Sequence, residues 1–266
     1  LGQDNIPDYL AISFSSTDYV GHIFGASSLE IEDNIAHLDQ TLADLFSFID
    51  KEIGLENTLI VLSADHGQPE VPGHLHERGI TDAHYFDTKA LDKTPAITTL
   101  KKRFGIGEEL IEAFFQPYLY LNRDLIREKG LDQYEVEQAV AEEMLKFNGV
   151  AYAVSSTALR MDNMPDTLMT RSILRNFHPK RSGDIYLVFE PNVFINDFEG
   201  LIVASTHGSP WRYDTFVPVI FAGAGLPAMT VSRPVTPYDI APTLAAYLAV
   251  KPPSGAIGRP LPEVLK

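Results

Sequence analysis

The tightest constraint on this fold is the order of apolar run, helix and apolar run at the start of the chain. "DYLAISFSS" at 8–16 and "NTLIVLSAD" at 57–65 are short continuous apolar runs, each closed by small or polar residues. Such runs fit strands covered on both faces, as in a parallel sheet packed between helices. Between them Ile31, Ile35, Leu38, Leu42, Leu45 and Ile49 recur at steps of four and three, which is one face of a helix. Ser27 and Glu30 have capping-box spacing ahead of it, and Gly54 stands where a C-terminal cap belongs. Strand, long helix, strand is a βαβ unit, and a right-handed crossover predicts parallel strands whose C-terminal ends share one sheet edge. "GLIVASTHG" at 200–208 and "FVPVIFAGAG" at 216–225 add two more core runs.

Residues 85–199 follow a different pattern. "PYLYLN" at 117–122, a helix at 132–147, "GVAYAVS" at 149–155 and "GDIYLVFEP" at 183–191 read as a small α+β sheet with local connections. The predicted organisation is therefore an α/β core over 1–84 and 200–266, mainly a parallel sheet sandwiched by helices, with an inserted α+β subdomain at 85–199. A proline-led helix, "VTPYDIAPTLAAYL", and a turn-rich tail close the chain.

Composition narrows the partners. The 266 residues carry a net charge of −15, a field that repels nucleic acid and anionic membrane surfaces alike. An anionic substrate then needs strong local positive charge, which bound cations can supply. With no cysteine, disulfides, thiolate metal sites and a cysteine nucleophile are excluded. No apolar run approaches the roughly 18–20 residues of a spanning helix, and no basic-then-apolar leader opens the sequence.

Metal-ligand chemistry sits where three of the runs end. Asp18 and His22 lie in "STDYVGHIFG", Asp65 and His66 in "SADHG", and His207 in "STHGSPWRYDT". Sites in open α/β sheets form just outside the carboxyl ends of strands, so these five residues can converge despite their separation in sequence. Imidazole with carboxylate and no thiolate suits zinc, with manganese or iron less favoured. Taken singly, each element has a plain alternative: a turn aspartate with an ordinary histidine, an Asp-His-Gly helix cap, a structural histidine. Three such elements at three run ends, two followed by glycine, make the metal reading the stronger one.

These motifs, with "THGSPWRYDTFVPVIFAG", "VTPYDIAPTLAAYL", "PPSGAIGRPL" and the central "NFHPKRSGDIYLVFEP", resemble the alkaline phosphatase superfamily. The likeness is strongest to the phosphate-irrepressible bacterial alkaline phosphatases, relatives of the nucleotide pyrophosphatase/phosphodiesterases. The resemblance implies a phosphate-monoester hydrolase with two zinc ions about 4 Å apart. Asp18, His22 and His207 would hold one ion, and Asp65 and His66 half of the other. It also implies a serine or threonine nucleophile that forms a covalent phospho-enzyme, cations that act chiefly by electrostatics and positioning, and loss of activity on acidification as the histidines protonate. Export to the periplasm, or secretion, is implied likewise.

One departure is plain. The family's nucleophile and a further aspartate of the second zinc site precede the "STDYVGH" motif, and only 17 residues precede Asp18 here. The expectation is a C-terminal half whose catalytic nucleophile lies in an N-terminal part, with an incomplete second zinc site, an uncovered apolar surface and negligible turnover by itself. Thr17, Ser205 and Thr206 sit within ligand motifs and are not assigned as the nucleophile. Phosphodiesterase or nucleotide pyrophosphatase activity is the alternative within the superfamily, and a noncatalytic metal-binding domain the alternative outside enzymes. Among the other candidates, His74 and His76 read as a solvated loop, His37, His84 and His178 as surface groups, and "KKRFG" at 101–105 as a solvated basic patch. Trp211 and Tyr213 either line a substrate entrance or pack against the insert.

Overall fold

In the computed structural model, which describes residues 1–198 and 200–265, the chain divides into two compact units. One comprises residues 1–20, 27–67 and the segment from Phe216 onward; the other comprises 21–26 and 68–215. Helix α1 (Ser16–Phe24) is unbroken and contributes residues to both.

The first unit is built on α2 (Leu29–Glu52), a 24-residue helix. Ser28, one residue later than expected, is its N-cap, and the Ser28 side chain accepts from the Ile31 amide. Gly54, at φ 91°, follows the last turn and returns its N–H to the Ile49 carbonyl at 3.0 Å. The chain then enters β1 (Leu59–Ser63).

Residues 8–14 do not form the strand their composition predicts: helix α1 starts at Ser16, and Tyr9, Leu10 and Ile12 are exposed. A strand exists only where a neighbour completes its ladder. Among the described residues β1 pairs with a single strand, β10 (Val219–Gly223), and that pairing is antiparallel, from Leu59 opposite Gly223 to Ser63 opposite Val219. Apolar runs report burial but not direction, so the expected parallel pair of 8–16 and 57–65 is replaced by an antiparallel pair of 59–63 and 219–223. Gly223, at φ 76°, admits no side chain, since a Cβ there would lie 2.1 Å from the Thr58 carbonyl oxygen. The proline-led segment gives α10 (Ile240–Tyr247), fastened to the tail by Thr243, which donates to the Asp239 carbonyl and accepts from the Leu261 amide. Ile35 and Phe48 of α2 remain exposed, so part of its apolar stripe is not covered within the chain.

The second unit contains α3 (Pro72–Glu77), β2 (His84–Tyr85), α4 (Pro95–Arg103), β3 (Ile111–Phe115), β4 (Tyr118–Leu121), α5 (Arg123–Glu128), α6 (Gln133–Met144) and β5 (Val150–Ser155). There follow α7 (Ser156–Arg160), α8 (Leu168–Asn176), β6 (Ile185–Phe189), β7 (Val193–Phe194), β8 (Asp197–Phe198), β9 (Leu201–Ile202) and α9 (Arg212–Thr215). Its centre is an antiparallel sheet in the order β3-β4-β6-β5. Strand β6 is buried along its whole length because both faces of the sheet are covered. On one face Ile97, Val136, Val140 and Met144 of α4 and α6 meet Leu119 and Ile185; on the other, Leu159 and Ile173 of α7 and α8 pack on Tyr118, Val154 and Tyr186. The predicted strands at 117–122, 149–155 and 183–191 and the helix at 132–147 all form, trimmed by a few residues. The run at 200–208 yields only the two residues of β9, paired with β8, before the backbone turns irregular.

The middle of this unit carries a buried carboxylate, Glu137, with no exposed surface. It accepts from the Ser155 hydroxyl (2.6 Å), the Thr157 amide (2.9 Å) and hydroxyl (3.1 Å), and the Gln133 side-chain amide (2.8 Å). Four donors offset the cost of taking the group out of water, and they join α6 to the β5–α7 corner.

Candidate metal centre

Helix α1 places Asp18 and His22 one turn apart on the same face, aspartate in the first turn and histidine in the last, as the helix dipole favours. Thr17 donates to the Asn34 side-chain oxygen at 2.8 Å and so ties the start of α1 to α2. At the other end of α1 the His22 carbonyl accepts from the Ala204 amide (2.8 Å) and the Ser205 amide (3.3 Å). His22 Nδ1 lies 2.8 Å from the Ser205 carbonyl oxygen. A carbonyl only accepts, so Nδ1 carries the proton and Nε2 presents its lone pair, the tautomer required of a ligand whose second nitrogen is held by backbone.

The segment carrying His207 is anchored on several sides. Ser205 is fully buried and donates to the Pro69 carbonyl at 2.7 Å, and Tyr85 donates to the Ala204 carbonyl at 2.8 Å. The Gln116 side-chain amide donates to the carbonyl of His207 itself at 2.8 Å. The His22 and His207 rings stand 5.1 Å apart between centroids, tilted by 43°. A carboxylate oxygen of Asp18 and one ring nitrogen each of His22 and His207 all lie within 4.8 Å of one another. Ligand atoms around a tetrahedral zinc with bonds of about 2.0–2.1 Å stand roughly 3.3–3.4 Å apart. Small side-chain movements close that difference, and two imidazoles with one carboxylate fit a cation that keeps a further position open.

Asp65 and His66 follow β1 directly. The His66 amide donates to the Asp65 side chain, and His66 Nδ1 lies 3.0 Å from the Gly67 carbonyl, which fixes the same tautomer as in His22. His66 Nε2 is 3.8 Å from Asp18 Oδ1 and 3.5 Å from Asp65 Oδ2. Asp18 therefore faces His66 as well, whereas the Asp65 side chain is 89 % exposed.

Other candidates have roles elsewhere. Thr17 and Ser205 spend their hydroxyl protons on Asn34 and Pro69, and Thr206 is buried. His74 and His76 lie on helix α3, not in a loop: His74 faces Glu77, and His76 meets the Ala83 carbonyl. Lys101 is not part of a solvated patch, because it pairs at 2.6 Å with buried Asp92. Trp211 donates to the Phe189 carbonyl and the Tyr213 hydroxyl accepts from the Asn192 amide, so both are bonded to the end of β6 and the turn after it. Burial holds the Tyr213 phenol above its ordinary pKa. Sequence reasoning missed Gln116, Asn34 and Gln68. The Gln68 amide lies against Gly21, where a Cβ would fall 2.0 Å from its oxygen. Contacts of this sort leave no mark in residue spacing.

The chain belongs to the type I phosphodiesterase / nucleotide pyrophosphatase family, whose profile matches residues 2–210. It is 32 % identical over 266 residues to alkaline phosphatase PafA of Elizabethkingia meningoseptica, a match covering 100 % of this chain and 47 % of that protein. It is 31 % identical to alkaline phosphatase PhoV of Synechococcus elongatus, over 100 % of this chain and 46 % of PhoV. A Myroides odoratus protein named a calcium-transporting ATPase is 35 % identical over 98 % of this chain and 46 % of its own length. The crystal structure of PafA superposes with a TM-score of 0.86 over 100 % of this chain and 49 % of that one, which establishes the alkaline phosphatase-like α/β fold. The chain thus spans about half the length of the curated relatives it matches.

Proposed function

We propose that this chain supplies the metal-holding part of a zinc-dependent phosphohydrolase that cleaves phosphate monoesters. The observation that carries the reading is the convergence of Asp18, His22 and His207 within 4.8 Å, in a chain whose similar proteins include alkaline phosphatases. In this reading these three residues hold one zinc, and Asp65 and His66 contribute half of a second site. Divalent cations at these positions would stabilise the charge that spreads over the phosphoryl oxygens. The chain's own part is to fix two imidazoles in the ligating tautomer, through the Ser205 and Gly67 carbonyls, and to hold the Asp18 carboxylate beside His66.

In this reading the nucleophilic hydroxyl comes from outside the chain, which the hydrogen bonds that Thr17 and Ser205 donate within it support. In the complete protein that hydroxyl attacks phosphorus as the leaving-group oxygen departs, and water then cleaves the phospho-enzyme. The N-terminal part that brings it is also the partner that covers Tyr9, Leu10, Ile12 and the exposed stripe of α2. Phosphodiester or nucleotide pyrophosphate substrates are the second reading, favoured by the family profile. Among the described residues no helix is long and apolar enough to cross a membrane. A periplasmic or secreted location is the setting proposed.

Zinc titration of the purified chain tests the core of this reading. One tight site is expected, weakened at least about 100-fold by His207→Ala, with a weaker second site lost in His66→Ala. Absence of zinc binding, or wild-type affinity in His207→Ala, overturns the reading. Rapid hydrolysis of an aryl phosphate by this chain alone, abolished by His207→Ala, overturns the external nucleophile.

A further inference from the structure

The turn between β3 and β4 belongs to the inserted α+β sheet, yet its Gln116 side chain reaches the backbone of His207. Three observations show that this contact shapes its surroundings. First, Gln116 Nε2 donates to the His207 carbonyl at 2.8 Å, beside the ring whose nitrogen belongs to the metal triad. Second, the next residue, Gly208, has φ 108° and leaves the space the amide occupies: a Cβ there would sit 2.9 Å from Gln116 Nε2. Third, the other end of the same amide, Oε1, is buried with no hydrogen-bond partner. It lies beside a small apolar pocket lined by Pro117, Val188, Phe194, Thr206 and Tyr213.

A buried acceptor left unsatisfied is unfavourable, and an amide offers no apolar surface that a methionine of the same length would not. Nothing at the Oε1 end accounts for a glutamine there. What accounts for it is the donor end, which sets the position of His207. We infer that Gln116 is a positioning residue for the metal centre, and that the inserted sheet acts on the centre through it. The peptide plane of His207 is fixed on one side by the Gln116 amide. Two residues earlier, Ser205 is held by the His22 carbonyl, which accepts from its amide, and by the His22 ring, whose Nδ1 meets its carbonyl, so the two histidines are held in register before a cation arrives. The inference rests on the zinc reading above and adds to it a role for the insert.

The test uses the 266-residue chain and two substitutions, Gln116→Met and Gln116→Glu, read by zinc competition titration, by the visible spectrum of cobalt(II) in the same site, and by urea unfolding of the metal-free chain. Gln116→Met keeps the length of the side chain and removes both polar ends. It is expected to weaken the Asp18/His22/His207 site about tenfold and to alter the cobalt spectrum. The urea midpoint of the metal-free chain is expected to change little, because the lost hydrogen bond and the removed unsatisfied acceptor oppose each other. Gln116→Glu removes the donor and sets a carboxylate against the His207 carbonyl, so it weakens zinc at least as much and keeps the question answerable should Gln116→Met fold poorly. Wild-type affinity and an unaltered cobalt spectrum in both variants overturn this inference while leaving the zinc reading intact. A loss of metal affinity matched by an equal loss of metal-free stability also overturns it, since a merely structural contact behaves that way. If the wild-type chain binds no zinc, the parent reading falls, and this one with it.

Discussion

Glu137 gives the sharpest test of what holds the insert together. Replacing it by leucine removes the acceptor of four hydrogen bonds at 2.6–3.1 Å. Two of the donors have some recourse: the Ser155 hydroxyl can turn elsewhere, and so can that of Thr157. The Gln133 amide keeps its bond to Asp184 at 3.1 Å, so the Thr157 amide, at the start of α7, is the donor left with none. An orphaned buried donor costs about 1–3 kcal/mol, so the Thr157 amide together with the hydroxyl bonds lost predicts about 2–3 kcal/mol after the apolar gain of leucine is set against them. Glu137→Gln keeps one oxygen for the Thr157 amide but turns an NH2 group toward that of Gln133, which predicts about 1–2 kcal/mol. The single tryptophan, Trp211, is bonded to the Phe189 carbonyl on β6, so its fluorescence reports unfolding of this unit. With a urea m-value of about 2 kcal/mol/M the midpoint should fall by roughly 1–1.5 M for leucine and 0.5–1 M for glutamine. Two variants within about 0.5 kcal/mol of wild type, or leucine milder than glutamine, would refute the argument that these donors require a carboxylate.

Three further outcomes follow from single residues. Gly21→Ala is expected to change overall stability by no more than about 1 kcal/mol, since alanine favours the helix while its Cβ displaces Gln68; severalfold weaker zinc binding in a competition titration is the telling readout. Gly223→Ala combines a left-handed φ with a Cβ 2.1 Å from the Thr58 carbonyl, so β1 and β10 must part, at a cost of about 2–4 kcal/mol by circular dichroism in urea. Burial acts to raise the pKa of Asp92, but the Lys101 ammonium and the amides of Ile111 and Leu110 together outweigh it, so the group lies below its ordinary value. A depressed carboxylate stabilises the fold above its unfolded pKa of about 3.9 and loses that contribution as pH falls through the folded value. Asp92→Asn should therefore be less stable than wild type at neutral pH, with the gap narrowing below about pH 4 in an acid titration of urea midpoints.

What the sequence disclosed divides along a physical line. Helix α6 and strands β4, β5 and β6 were legible because their signals are local: Asp132 caps α6, and apolar alternation lies within the element that uses it. The strand expected at 8–16 was not secured by local signal, because β structure needs a neighbour and composition cannot say whether one is present. The direction of β10 against β1 was equally invisible, since a run buried on both faces reads the same either way.

The site follows the same division at finer grain. Asp18, His22, Asp65, His66 and His207 could be singled out as candidates because few side chains can ligate a cation and these stand where runs end, and the structure groups Asp18, His22 and His207. Their supports could not, because Ser205 and Gly67 act through backbone carbonyls, which any residue supplies, and Gln116 acts on the backbone carbonyl of His207. The two carbonyl supports decide which ring nitrogen of His22 and of His66 is left to face a cation. In this chain the supports come from three distant places: the turn after β1, the irregular stretch after β9 and the turn between β3 and β4. On the inference drawn for Gln116, substitutions at that last turn should be judged by metal affinity before they are judged by stability.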